Sequence, residues 1–339
     1  MITQLLIPVL VGLGIFLTGM KIMELALHQW AGSFMTGLLE RFTRTPLRGL
    51  LVGTGITAAL QSSSAITVIT IGLVNAGMMT FPRTLGIILG TNIGTCLTTE
   101  LIGLNLSKLA LPMLLICGFV WLLTMLPLLA GNDRQKSSRA SHKPMQRGRS
   151  FARTARMVHH IRSLSLAVCG FATVMLGVEV MQTIVPALQS RGLFGWFVEQ
   201  AQRSLLWGII AGAVLTAIIH SSAATIAMTM GLASIDAIPV ELGIAIVLGA
   251  NVGTCATALL AAIGGSKNGQ FVAWSHIALN AGGALLFYPL LPLLHDASAL
   301  MSARPSGQIA HAQTLFNVAC SIIALPICYL PVLNKRQYQ

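Results

Sequence analysis

Charged side chains are scarce in this sequence, 9% of 339 residues, against roughly 25% in an ordinary soluble domain. So few charges cannot cover a water-soluble fold of this length, and that class is excluded. Acidic residues are the rarest, 9 against 21 Lys and Arg, leaving a net charge of +12. The excess does not describe a nucleic-acid surface. Nine of the 21 basic residues crowd between Arg134 and Arg162, with Phe151 the one Phe, Tyr or Trp among them, so aromatic platforms for bases are missing. The six cysteines (Cys96, Cys117, Cys169, Cys255, Cys320 and Cys328) form no C-x-x-C pair and no zinc spacing. They read as small buried helix residues rather than zinc ligands, and no cofactor is expected. The apolar start, 2–20, lacks a basic n-region and a small-residue cleavage site, so it reads as a first membrane span.

What is abundant is apolar sequence: 55% of residues are hydrophobic and the mean hydropathy is +0.79. Apolar stretches recur at 2–27, 49–79, 84–104, 109–130, 163–188, 205–235, 242–263, 271–294 and 309–333. This predicts an all-α polytopic membrane protein embedded in a lipid bilayer. The stretches 49–79 and 205–235 are too long for one crossing, and each is interrupted midway by polar residues. A broken helix or re-entrant hairpin accounts for both features, and such backbone is tolerated only where it is buried in protein or lines a cavity.

A shift of 159 residues aligns 49–100 with 208–259 without a gap. Thr57, Ser62, Ser63 and Ala65 then match Thr216, Ser221, Ser222 and Ala224. Gly90, Asn92, Gly94, Thr95, Cys96 and Thr98 match Gly249, Asn251, Gly253, Thr254, Cys255 and Thr257. Composition explains matched glycines, but not polar residues in register inside apolar runs. The chain accordingly divides into a first transmembrane repeat (1–130), a basic linker (131–160), a second repeat (161–294) and a terminal helix with tail (295–339).

Charge suggests how the copies are oriented. With the basic linker placed in the cytoplasm and each interrupted stretch returning to its own side, Lys21, Arg41, Arg44, Arg48, Arg83, Lys267, Lys335 and Arg336 also fall inside. Only Lys108, Arg191, Arg203 and Arg304 fall outside. The two interrupted stretches then enter from opposite faces, which makes two inverted-topology repeats, and the C-terminus is cytoplasmic. The membrane expected is a bacterial inner membrane.

The polar residues of the two copies are the candidate site: Gln61, Ser62, Ser63, Ser64, Thr91, Asn92 and Thr95, with His220, Ser221, Ser222, Thr225, Asn251 and Thr254. Hydroxyls and amides can replace the hydration shells of anions and cations alike. At a helix break, free N–H groups favour an anion and unwound carbonyls a small cation. Glycines such as Gly90 and Gly94 would let the backbone approach the ligand. Close packing of helices through small residues is the competing explanation, and two registered copies argue against it. His220 could bind an anion when protonated, relay a proton, or serve as a neutral hydrogen-bonding group in place of Gln. Glu100, close after Thr98, is a second candidate for the cavity, and Glu179 a group that pairs or snorkels. His276 and His311 read as packing or interfacial residues. Trp30, Trp121, Trp196, Trp207 and Trp274 fall mostly near span ends, as interface anchors do.

Gln61-Ser62-Ser63-Ser64-Ala65, Gly90-Thr91-Asn92-Ile93-Gly94-Thr95, their second copies, and Ala310-His311-Ala312-Gln313-Thr314-Leu315-Phe316-Asn317 resemble the sodium–phosphate cotransporter family. The resemblance implies sodium-coupled movement of inorganic phosphate, with the two Ser-rich motifs facing each other at the centre. It implies phosphate and sodium sites at Gln61, Ser62, Ser63, Ser64, Ser221 and Ser222. Sodium is then expected at Ser64, Thr95, Ser222 and Thr254. The second motif departs from the pattern, reading His220-Ser221-Ser222-Ala223, and Gln313 stands where the family usually has histidine. Ser275-His276-Ile277-Ala278-Leu279-Asn280 looks like a weaker relative of that last motif. Proton coupling, another oxyanion and a passive channel remain alternatives. An intramembrane hydrolase is disfavoured, because His220 adjoins Ser221 and no G-x-S-x-G elbow is present.

Overall fold

A computed structural model describes residues 3–137, 148–183 and 192–330. It contains fourteen α-helices and a 3₁₀ turn, and no strand among the described residues. In chain order they are α1 (Thr3–Phe42), α2 (Pro46–Leu60), α3 (Ser63–Asn75), α4 (Phe81–Gly103), α5 (Ser107–Ser137) and α6 (Gly148–Gln182). Then follow α7 (Gly192–Arg203), α8 (Leu206–Ile219), α9 (Ser222–Ser234), α10 (Val240–Gly253), α11 (Cys255–Ala262), α12 (Lys267–Phe287), α13 (Leu291–Met301) and α14 (Pro305–Ala324). Part of the basic linker, 138–147, and the C-terminal residues 331–339 lie outside the described residues.

Among the described residues, six helical segments are long and apolar enough to cross a membrane: Ile7–Ala31, Phe81–Gly103, Ser107–Met125, Met157–Gln182, Val240–Ala262 and Pro305–Tyr329. The chain is therefore a multi-pass membrane protein, and large apolar side chains such as Leu285, Leu115 and Ile263 cover its outer surface. The stretch 271–294, expected to be one straight crossing, is instead bent by 85° between α12 and α13. Pro289 and Pro292 sit at that bend. Each lacks a backbone N–H, and its ring disfavours helical geometry in the residue before it.

Both overlong apolar stretches are broken helices, α2–α3 and α8–α9. Two long helices, α1 and α6, brace them and cross through glycine. A methyl group added at Gly12 would lie 3.0 Å from Gly177 O, and one at Gly19 would lie 2.7 Å from Gly170 O. Because the lower-numbered glycine of α1 meets the higher-numbered one of α6, the two helices run antiparallel. Backbones this close gain dispersion contacts that larger side chains would forbid, which suits association in a solvent as apolar as the helices themselves.

Candidate functional site

The two breaks have the same geometry. In the first, Gln61 takes the left-handed conformation (φ 56°, ψ 28°) and closes α2, its N–H donating to Thr57 O at 2.8 Å. Ser62 is extended and caps α3, its Oγ accepting from the Ala65 N–H at 3.4 Å. In the second, His220 is left-handed (φ 58°, ψ 24°) and donates to Thr216 O at 2.8 Å, while Ser221 Oγ accepts from the Ala224 N–H at 3.2 Å. A left-handed residue followed by an extended serine ends one helix and starts the next within two positions. The first-turn amides of Ser63 and Ser64, and of Ser222 and Ala223, precede any intrahelical bond and are available to a ligand. We expect Ser62→Ala and Ser221→Ala each to cost about 1 kcal/mol through loss of the cap. Thermal unfolding in detergent measures this, and an unchanged midpoint in both variants would contradict the capping role.

Behind each break stands a helix packed through glycine. A methyl group at Gly94 on α4 would lie 2.6 Å from both Thr54 O and Thr57 Cβ on α2. One at Gly253 on α10 would lie 2.5 Å from Ala213 O and 2.7 Å from Thr216 Cβ on α8. These glycines therefore admit a neighbouring helix, where the sequence had suggested approach to a ligand. None of them has positive φ.

The serines and threonines of the two copies converge on one place. An open cavity of about 620 Å³ is lined by Gln61, Ser62, Ser63, Ser64, Thr95 and Thr98 from the first copy. The second copy contributes His220, Ser221, Ser222, Thr254 and Thr257. A second space of about 10 Å³, enough for a single water-sized occupant, lies among Thr67, Thr91, Asn92, Asn251 and His276. Ser63, Ser64, Thr95, Ser222, Thr254 and Thr257 line both spaces. Of the thirteen sequence-derived candidates only Thr225 lines neither. It is fully buried, accepts from Thr216 Oγ1 at 3.0 Å and donates to Ser221 O at 3.3 Å, so it braces the second break from behind.

The matched cysteines are held alike. Asn317 donates to Cys96 Sγ at 3.3 Å, and that thiol lies 3.9 Å from Gln313 O. Asn280 donates to Cys255 Sγ at 3.4 Å, and that thiol lies 3.5 Å from His276 O. The stretch 275–280 thus does for the second copy what 310–317 does for the first. A direct link joins the copies, Asn92 Nδ2 to Asn280 Oδ1 at 3.0 Å.

The copies differ at the break itself. Gln61 is pinned, its Nε2 donating to Ala58 O at 2.6 Å and its Oε1 accepting from Thr98 Oγ1. His220 is exposed to the cavity, and its ring makes no hydrogen bond among the described residues. His276, read from sequence as a packing residue, is 4% exposed, lines the small space, and has no partner on either ring nitrogen among the described residues.

Glu100 does not face this cavity. It follows Thr98 by two residues, about 200° around a helix. It pairs with His311 instead, Nδ1 to Oε2 at 3.0 Å, and accepts from Thr314 Oγ1 at 2.5 Å. Glu179 is exposed. Two cavity residues that sequence reading had counted only toward topology, or passed over, are Lys21 and Glu24 of α1.

Comparison with known proteins places these features in context. The profile of the Na+/Pi-cotransporter family matches residues 15–133 and 174–289. A Bacillus subtilis (strain 168) protein of uncharacterised function, YqeW, is 32% identical over 315 residues, spanning 93% of this chain and 92% of its own. Escherichia coli (strain K12) YjbB, whose name assigns it provisionally to inorganic phosphate export, is 24% identical over 322 residues. That match takes in 95% of this chain but 53% of YjbB, so the chain spans about half the length of that relative. The sodium-dependent phosphate transport protein 2A of Rattus norvegicus is 33% identical over 107 residues, 30% of this chain and 17% of its own. No solved structure matches the chain significantly.

Proposed function

The chain belongs to the Na+/Pi-cotransporter family, and from that premise we propose that it is a secondary active transporter of inorganic phosphate. It is sodium-coupled, sits in a bacterial inner membrane, and works by alternating access of two inverted repeats, 1–130 and 161–294. The basic linker 131–160 and the tail of 295–339 lie in the cytoplasm. The observation that carries this reading is the convergence of both helix breaks on one cavity. First-turn amides and serine hydroxyls of both copies can share the oxygens of one tetrahedral anion. The adjoining space of about 10 Å³ excludes phosphate but suits a monatomic cation. Ser64, Thr95, Ser222 and Thr254 line both spaces, and we assign sodium to them. The antiparallel crossing of α1 and α6 supports the inverted arrangement, because these helices precede the matched stretches 49–100 and 208–259 and run in opposite directions.

The test is flux. Reconstituted protein should accumulate labelled phosphate when an inward sodium gradient is imposed, and empty vesicles should not. His220, exposed to the cavity without a partner among the described residues, favours a second reading in which a proton replaces sodium. Accumulation that follows a pH gradient and ignores sodium would decide for it. Single-channel currents would decide for a passive pore, and absence of flux under either gradient would overturn transport of phosphate.

His276 offers a separate check. An unpartnered buried imidazole costs the fold free energy, so an apolar replacement of similar size should be close to neutral for stability. We expect His276→Leu to keep its unfolding midpoint and to lose transport, because the small space loses a polar wall. Transport at the original rate would return His276 to a packing role.

A further inference from the structure

In the proposed transport cycle the substrate is an anion, yet serines, threonines and amides supply no full charge. Among the described residues lining the outer cavity, Lys21 and Glu24 are the two that carry one. They lie 3.0 Å apart, Lys21 Nζ to Glu24 Oε2, with side chains 61% and 21% exposed. Both fall inside the apolar span Ile7–Ala31. Leu17, Met20, Lys21 and Glu24 are spaced three and four residues apart, so they form one stripe of α1, and that stripe faces the two breaks. An ion pair placed in a span for helix stability alone would gain only a few tenths of a kcal/mol. Charges within a span are costly and face a cavity or a partner.

We propose that Lys21 is the residue that recognises the phosphate anion in the outer cavity, and that Glu24 is its exchangeable counter-charge. The assignment rests on the transport reading above. In the empty cavity the pair is neutral, which lowers the cost of keeping a lysine at that depth. An arriving dianion carries twice the charge of a carboxylate and attracts the ammonium about twice as strongly at equal distance. The ammonium has three donors on a flexible stem, so it can turn from Glu24 to the anion without moving α1. The anion's remaining oxygens meet the first-turn amides of α3 and α9. Glu24 then competes for Lys21 and keeps the anion from binding too tightly to leave.

Labelled-phosphate flux in proteoliposomes, measured across phosphate concentration, tests this in Lys21→Gln, Lys21→Arg, Glu24→Gln and the double variant Lys21→Gln/Glu24→Gln. Lys21→Gln should raise the half-saturating phosphate concentration about tenfold with a maximal rate near the original, and Lys21→Arg should restore it. Glu24→Gln should lower the half-saturating concentration. The double variant leaves no unpaired charge in the span, so it folds even where Lys21→Gln does not, and it should still bind phosphate more weakly than the unaltered protein. An unchanged half-saturating concentration in the double variant would overturn the assignment. So would equal losses in Lys21→Gln and Glu24→Gln, the signature of a pair that only holds α1. If the unaltered protein shows no phosphate flux, the transport reading has failed and this assignment falls with it.

Discussion

Gly249→Ala should leave little folded protein. A methyl group at that position would lie 1.9 Å from Ile209 O, 2.7 Å from its carbonyl carbon and 2.8 Å from its Cα. All three atoms belong to the backbone of α8, so no rotamer change relieves the clash. Either α8 and α10 separate along their length or the helices do not pair, and overpacking of this kind costs from about 1–3 kcal/mol upward. The matching Gly90→Ala, with a methyl 2.2 Å from Leu50 O, should do the same to α2 and α4. Gly14→Ala is the control. Nothing lies within 4 Å of its added methyl, and alanine is favoured over glycine in a helix by about 1 kcal/mol. Yield of monodisperse protein and its unfolding midpoint in detergent read the outcome. Gly249→Ala behaving like Gly14→Ala would show that these helices do not pack through glycine.

The second large effect is on function. Ser63 and Ser222 match across the repeat, line both spaces, and make no side-chain hydrogen bond among the described residues. Removing their hydroxyls therefore strips a ligand of partners and the fold of none. A hydrogen bond to a charged group is worth about 1.5–3 kcal/mol. The double variant Ser63→Ala/Ser222→Ala should therefore lose at least about a hundredfold in phosphate flux at limiting concentration, with an unaltered unfolding midpoint. Each single variant should fall between. Full flux in the double variant would remove the central cavity from the transport path.

The difference between these experiments reflects what the sequence could and could not disclose. Ser63 and Ser222 stood out because hydroxyls in register inside apolar runs have no compositional explanation, and the breaks at Gln61 and His220 followed from stretches too long to be single crossings. Gly90 and Gly249 matched equally well, but a glycine in a sequence does not say whether a ligand or another helix comes close. That is decided by tertiary packing, and here it is a helix. Lys21 and Glu24 were invisible for a related reason. A basic and an acidic residue three apart look like any surface pair until α1 is seen to turn that stripe toward the two breaks. Glu100 was drawn toward the cavity by closeness in sequence, where angle around the helix was what mattered. The bend at Pro289 could have been read, since proline twice within four residues interrupts any helix.

The crossing of α1 and α6 has a symmetry of its own. An offset of 158 relates Gly12 and Gly19 to Gly170 and Gly177, and the contact joins Gly12 with Gly177 and Gly19 with Gly170. Exchanging the two helices returns the same pairs, so the surface is complementary to itself, as in a two-fold dimer. The two halves of the chain thus meet, at this crossing, as the two protomers of such a dimer would. The breaks do not keep that symmetry: glutamine is pinned at one and histidine is unpinned at the other, a difference that a dimer of identical chains could not encode.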